Sequence, residues 1–340
     1  MKSNRVKRLA KLIISNTFTG LAGKKLLPRK SPLILMYHRV LPAVEALNTW
    51  SSPYIVTHLD SFAAQMAYLA ENCHFFSPSE LAGPVTLPPG SVAVTFDDGW
   101  ADNHLHALPI LTKNRIRATF FLTAGLINTE QVFLPEKLRC YLHLAKKENF
   151  WSTVAGRSFL SEAPRSIAVL APFADPDLLI QKLWHLDASE AEAFLQELHR
   201  VLGRPEIDVA GHRLMKWQEV LDLKQDGMEL GSHGLNHTRL TGLADRELFQ
   251  ELNQSKSVIE KAVKAKVNSF AYPKGDHDTR VRKTVREAGY LSACDTREGF
   301  VDRKHDLMAL PRLNVCESRF SDHRGRFSPE MFRAALGGLI

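Results

Sequence analysis

Residues 91–100, SVAVTFDDGW, constrain the fold of this chain more tightly than any other stretch. Val92, Ala93, Val94, Thr95 and Phe96 form a short apolar, β-branched run with the composition of a strand buried on both faces, and the run ends on Asp97, Asp98 and Gly99. Such strands belong to parallel α/β architectures, where ligand-binding and catalytic residues gather at the carboxyl ends of the strands. Gly99 lets the backbone turn sharply beside a bound group. Two adjacent carboxylates at a buried strand tip are costly unless they do something, and one reading is that one Asp holds a metal while its neighbour handles a proton. The competing explanation is a helix N-cap, because Asp caps well and the next segment has a helical pattern. From the pair alone the two readings are even.

The remaining chain repeats the strand motif. Apolar strand candidates fall at residues 32–40 (PLILMYHRV), 91–96, 118–124 (ATFFLTA), 228–232 (MELGS), 267–273 (VNSFAYP), 290–294 and 307–315 (LMALPRLNV). Helical patterns separate them at 60–72, with Phe62, Met66 and Leu69 on one face, and at 102–115, where Pro109 should kink or divide the helix. Further helical patterns lie at 217–226, 243–264 and 278–289. Strands alternating with helices imply right-handed βαβ units. The expected fold is therefore α/β, a distorted (β/α)7-type parallel barrel. The alternation pauses over residues 128–212, which read as a mainly helical insertion. That insertion either shapes one wall of a cleft or is a small packing subdomain. The expected organisation is a basic segment 1–30, a barrel domain 31–320 carrying the insertion, and a C-terminal tail 321–340.

Charge is informative only once it is located. The net charge is +7 over 340 residues, but residues 1–30 carry nine Lys and Arg and no Asp or Glu, so residues 31–340 sum to 7 − 9 = −2. The body is not basic, and no nucleic-acid partner is expected. In the leader, Val6, Leu9, Ala10, Ile13, Ile14, Thr17, Phe18 and Leu21 recur at three- and four-residue steps opposite the cations. This pattern fits either peripheral membrane contact through residues 1–25 or a helix packed on the body. It is too short and too broken to span a bilayer, and no cleavable signal peptide is evident. The four cysteines form no CxxC pair, which favours a reducing compartment. The expected location is cytoplasmic, with the leader on the inner face of the membrane. Oligomeric state is not set by the sequence.

His233-Gly234-Leu235-Asn236-His237 follows the 228–232 strand just as the aspartates follow theirs. Two histidines four apart can face the same way on a helical turn, and neutral imidazoles are common ligands for zinc-like metals. Both pairs are therefore expected at one rim. One carboxylate with two histidines leaves open positions for water and substrate, as a catalytic metal site requires.

TFDDG, then ATFFL, then GSHGLNHTRL, then FAYPKG resembles the polysaccharide deacetylase family, the NodB-homology carbohydrate esterases of family four, over residues 31–315. MYHRV and AYPKG look most like its poly-N-acetylglucosamine and exopolysaccharide deacetylase branch. The resemblance implies a metal-dependent hydrolase that removes the N-acetyl group of an amino sugar in a polysaccharide or glycoconjugate. It implies Asp97 as general base, and Asp98, His233 and His237 as ligands of a divalent metal, Zn2+ or alternatively Ni2+ or Co2+. The oxyanion would be held by the metal and the backbone N–H of Lys274, and His38 is the candidate general acid, against a bracing role at the rim. Two departures stand out. Where the family carries an arginine that orients the catalytic Asp, this chain has Ala271, and Lys274 stands where a tyrosine is usual. The C-terminal leucine-histidine motif is also absent, since His305-Asp306 precedes the last strand. Arg312 is accordingly expected to supply the guanidinium to Asp97. Asp276 and Asp278 either cap the following helix, the favoured reading, or contact substrate. Trp100 either stacks on a sugar or packs. Two other activities remain open, a deacylase of lipid-linked or nucleotide-linked amino sugars or of O-acetyl esters, and a non-catalytic saccharide-binding protein.

Overall fold

The computed structural model describes residue 13 and residues 31–84, 86–162, 176–185, 188–203, 210–302 and 305–339. Apart from Ile13, the basic leader lies outside the described residues. Among the described residues no helix is long and apolar enough to cross a membrane.

The strands are β1 (Leu33–Tyr37), β2 (Arg39–Leu41), β3 (Val56–His58), β4 (His74–Phe75), β5 (Ser91–Phe96), β6 (Ala118–Leu122), β7 (Glu229–Ser232), β8 (Ser269–Ala271), β9 (Ser292–Cys294) and β10 (Leu313–Asn314). Seven of them pair in parallel in the order β10-β1-β5-β6-β7-β8-β9, with β4 added beside β5. The central strands β1, β5 and β6 are buried at every residue, which is why they read as continuous apolar runs. The segment after β9 curls the sheet round: Leu310 N–H donates to Ala293 O at 2.9 Å, Asp295 N–H to Leu310 O at 2.9 Å, and three residues after Leu310, Leu313 pairs with Leu35 of β1. The parallel (β/α)7-type barrel is thus present as a curled sheet.

Period-two alternation sorts side chains between the two faces of that sheet. Ile34, Ala93, Phe121, Ala271, Cys294 and Leu310 pack together inside. Outward-facing Phe96 stacks on Phe120 at 4.7 Å between ring centres, and Phe62 of the helix Leu59–Asn72 meets Phe96 edge-on. Ala93 faces inward, so Thr95 and Asp97 do too. By the same count Arg312 follows Leu310 into the interior.

Three local features depart from the sequence reading. The strand expected over 32–40 breaks at His38, and β2 leaves the barrel to pair with β3. Asp102 causes the break by accepting from Arg39 Nε at 2.8 Å and from Val40 N–H at 2.9 Å, while Asn103 Nδ2 donates to His38 O at 2.7 Å. The helical stretch 102–115 divides into a widened turn, Asn103–Ala107, and a helix, Leu108–Lys113, with Pro109 in its first turn. Residues 321–339, read as a tail, carry the helix Pro329–Leu336, whose Met331, Phe332, Ala334 and Ala335 are buried and whose Phe332 meets Phe320 edge-on at 5.4 Å.

Residues 48–52 and 129–213 form a second unit. Its helices Leu134–Lys147, Val154–Glu162, Pro176–Trp184 and Ala188–Val201 enclose a core that includes Leu138, Tyr141, Leu179, Leu183, Leu195 and Leu198.

Phe332 is 1 % exposed, so Phe332→Ala is expected to cost about 3–5 kcal/mol, read as a lowered urea midpoint. An unchanged midpoint would contradict the placement of residues 321–339 in the fold.

Candidate active site

The carboxyl ends of β1, β5, β7 and β8 bring the titratable groups together. Asp97 continues β5 along the inner face, and its N–H donates to Tyr37 O at 3.0 Å. Asp97 meets Arg312 across the barrel: NH1 donates to Oδ1 and NH2 to Oδ2, both at 2.7 Å. Two further N–H groups of the guanidinium are engaged, Nε with Asp295 O at 2.9 Å and one terminal nitrogen with Thr95 Oγ1 at 3.3 Å. Both side chains are essentially inaccessible.

At Asp98 the chain enters the left-handed region with φ 75°, followed by Gly99 at φ 90°. Glycine suits the second position because φ 90° is strained for any residue with a side chain, and a Cβ there would also crowd Ile127 Cδ1 at 3.0 Å and Leu122 Cδ2 at 3.1 Å. The turn separates the two adjacent carboxylates. Asp98 Oδ1 lies 3.4 Å from His233 Nε2 and 3.5 Å from His237 Nε2, while Oδ2 accepts from Trp100 Nε1–H at 2.9 Å.

The histidines do not share a helical turn. They sit on a loop with Gly234 at φ 82° and His237 at φ 55°. What shapes this loop is Glu251, from the helix Asp245–Val263, whose Oε1 accepts the N–H of Leu235 at 2.7 Å and of Asn236 at 3.0 Å. Ala271 O accepts from His233 Nδ1 at 2.8 Å, so that nitrogen carries a proton and Nε2, which faces Asp98, is the ring nitrogen available to an ion that displaces its proton.

Three ligand atoms thus converge, all within 4.8 Å of one another. Tetrahedral bonds of about 2.0–2.2 Å place donor atoms about 3.3–3.6 Å apart. The separations of 3.4 and 3.5 Å from Asp98 Oδ1 fit that spacing, and the second polar atoms of Asp98 and His233 are committed elsewhere. Asp98, His233 and His237 form the only such cluster among the described residues.

The electrostatics separate the aspartates further. Burial would raise the Asp97 carboxyl, but the charge of Arg312, with that of His233, His38 and the Arg312 hydrogen bonds, outweighs it and holds Asp97 below the usual carboxylate range. Asp98 is likewise lowered against its burial, by the His233 hydrogen bond and the neighbouring imidazoles. Burial takes His237 down to about 3, helped by His233 and Lys274 against Asp98, which leaves it neutral and able to ligate. His233 is raised, because Asp97 and Asp98 outweigh its desolvation. The Nε2 of His38 is 3.9 Å from Asp97 Oδ2, and burial lowers its pKa despite Asp98 and Asp97.

The other candidates fall as follows. Lys274 is exposed, in a left-handed backbone conformation with φ 53°, and its charge bears on His237. Asp278 caps the helix Thr279–Glu287 by accepting from Val281 N–H at 2.8 Å. Asp276 does not cap; it accepts from Thr241 N–H at 2.9 Å and from its hydroxyl. Trp100 is not an open sugar platform, being 1 % exposed with the Arg39 guanidinium 4.4 Å over its ring. Asp306 accepts from Met308 N–H at 3.0 Å and pairs with Arg286. Sequence reasoning missed three contributors, Glu251, the Ala271 carbonyl and the Trp100 N–H. Only the last had a signal, its position three residues after Asp97.

Comparison with known proteins agrees with this architecture. The family model described as "Polysaccharide deacetylase" matches residues 85–154 and 184–293. The curated polysaccharide deacetylase homologue YxkH of Bacillus subtilis (strain 168) is 21% identical over 318 residues, covering 92% of this chain and 77% of its own. Among solved structures, IcaB from Ammonifex degensii is similar with a TM-score of 0.57 at 19% identity, over 92% of this chain and 99% of that one. The Streptococcus pyogenes deacetylase PplD in complex with acetate gives 0.55 at 18% identity, over 89% and 100% respectively.

Removing the guanidinium leaves burial of Asp97 unopposed. Arg312→Ala is therefore expected to raise the Asp97 pKa, so the carboxylate takes up its proton at higher pH, and to cost about 3–5 kcal/mol for the uncompensated buried charge. Carboxyl infrared titration and denaturant unfolding check the two parts; an Asp97 that still titrates below the ordinary carboxylate range contradicts them. Glu251→Leu strips the acceptor from the His233–His237 loop and is expected to weaken divalent-ion binding about 10–100-fold. Glu251→Gln, which keeps an acceptor oxygen, should bind more tightly than Glu251→Leu in the same chelator competition.

Proposed function

The chain belongs to the polysaccharide deacetylase family, hydrolases of N-acetyl amide bonds, and on that footing we propose a specific activity and division of labour. The protein removes the N-acetyl group from an amino sugar of a polysaccharide or glycoconjugate, with a divalent ion, Zn2+ first among candidates, held by Asp98, His233 and His237. The observation that carries this reading is that two sequence-adjacent carboxylates face different partners: Asp97 a guanidinium, Asp98 two imidazoles.

A divalent ion bound there lowers the pKa of a water molecule and polarises the acetamide carbonyl. Asp97, kept ionised by Arg312, accepts the proton released as water oxygen bonds to the carbonyl carbon. The two parallel hydrogen bonds from Arg312 fix both carboxylate oxygens, so Asp97 presents its remaining lone pairs in one direction. The backbone N–H of Lys274 is the proposed donor to the oxygen that gains negative charge. The carbon–nitrogen bond then breaks, and its nitrogen needs a proton. His38 supplies it. Because burial keeps His38 neutral at rest, it acts as a relay: it lies 3.9 Å from Asp97, takes up the proton collected there and passes it to the departing amine. Water thus contributes hydroxide to the acetyl group and a proton to the nitrogen, giving acetic acid and a free amine, which at neutral pH stand as acetate and the ammonium form.

The test is release of acetate and amine from a panel of N-acetylated and O-acetylated saccharides, with chelator and after Zn2+ is restored. Amine should appear with native protein, vanish with chelator and return with the ion. Asp97→Asn should lose about 100-fold or more in kcat, the scale of a general base. Ester-only release, or amine release indifferent to chelator, would overturn the proposal.

A further inference from the structure

We propose that Trp100 is a positioning residue: its indole N–H reserves one oxygen of Asp98, so that the carboxylate offers only Oδ1 to the ion. The inference rests on the reading of Asp98, His233 and His237 as a metal site and deepens it.

The argument begins with what a carboxylate does unaided. Its two oxygens are equivalent, and beside a divalent ion it can bind through one or both. At Asp98 the equivalence is broken. Trp100 Nε1–H donates to Oδ2 at 2.9 Å, while Oδ1 alone lies near the imidazole nitrogens, 3.4 and 3.5 Å away. An indole N–H is a donor only, so this contact can be made in one sense, and it is as short as an ordinary hydrogen bond to an anion.

The ring that carries the donor is itself held. Trp100 is 1 % exposed, and its main chain pairs with Leu214 in an isolated antiparallel bridge. The Arg39 guanidinium lies 4.4 Å from the ring centre, a cation over an aromatic face. Arg39 is fixed in turn by Nε–Asp102 Oδ2 at 2.8 Å, and the other Asp102 oxygen accepts Val40 N–H at 2.9 Å. This buried arginine packs against the face of the ring that carries the donor. Its effect here is to fix the angle of the indole and thereby the rotation of the Asp98 carboxylate. Outer contacts of this kind set the orientation of the ligand and typically account for 10–100-fold in metal affinity.

Trp100→Phe keeps an aromatic ring for Arg39 to cover and removes the N–H. Zn2+ affinity of the full chain, measured by competition with a chromophoric chelator, is expected to fall about 10–100-fold. In the Co2+-loaded protein the freed Oδ2 joins the ion, coordination number rises and the visible absorption loses intensity relative to native. Equal affinity together with an unchanged Co2+ spectrum overturns the proposal. Should Trp100→Phe fail to fold, Arg39→Lys decides: it breaks the planar hold on Asp102 while leaving the indole in place, and Zn2+ binding weaker than native, measured below the melting temperature of the metal-free variant, is expected. Unchanged affinity in that variant counts against the proposal equally. Native protein that takes up no ion at all fails the metal-site reading itself, a result distinct from native and Trp100→Phe proteins binding alike.

Discussion

The site depends on one buried ion pair. Arg312 and Asp97 meet inside the barrel through two hydrogen bonds of 2.7 Å, with both side chains shielded from water. Burying either charge alone is strongly unfavourable, so each residue needs the other. The pair also ties the closing segment to the central strand: Arg312 reaches Asp295 O with Nε, Thr95 with NH1 and Asp97 with both terminal nitrogens. The contact that keeps the proposed base ionised thus also joins it to the segment whose backbone pairing closes the sheet.

From that anchor the second aspartate is set by backbone geometry. Asp97 follows the inward alternation of β5, and the left-handed turn at Asp98 and Gly99 sends the next carboxylate elsewhere. There it meets ligands oriented by groups a step further out. The Ala271 carbonyl fixes the His233 tautomer, Glu251 shapes the loop to His237, and the Trp100 indole takes the spare oxygen of Asp98. Ala271 is instructive, because the position where the family resemblance led one to expect an arginine contributes through its main chain. The guanidinium comes instead from the residue just before β10.

Much of the fold was legible because buried parallel strands write themselves as apolar runs. Residues 91–96 and 118–122 read as strands for the same reason that they are buried at every position. The break at His38 was not legible, since it is made by Asp102 from more than sixty residues away in sequence. Nor was the burial of the apolar face of the helix Pro329–Leu336, whose Phe332 has partners such as Phe320 that only the tertiary fold supplies. In the site, residue types and strand ends brought Asp97, Asp98, His233 and His237 to one rim. The helical turn assumed for the histidines was incorrect because glycine and positive φ at Gly234 and His237 achieve the convergence differently. Arg312 was reachable by asking what could replace an absent arginine. Glu251 carried no local signal, because an acidic residue on a long polar helix looks like solvent-facing charge until the helix is docked.

The central claim is that two neighbouring carboxylates do different work, one moving a proton and one holding an ion. Metal content of the purified Asp97→Asn and Asp98→Asn chains, measured after identical Zn2+ loading and dialysis, tests it most directly. Asp97→Asn should retain about one divalent ion per chain while Asp98→Asn retains essentially none. Equal metal content in the two chains, whether both keep the ion or both lose it, would contradict the division of labour.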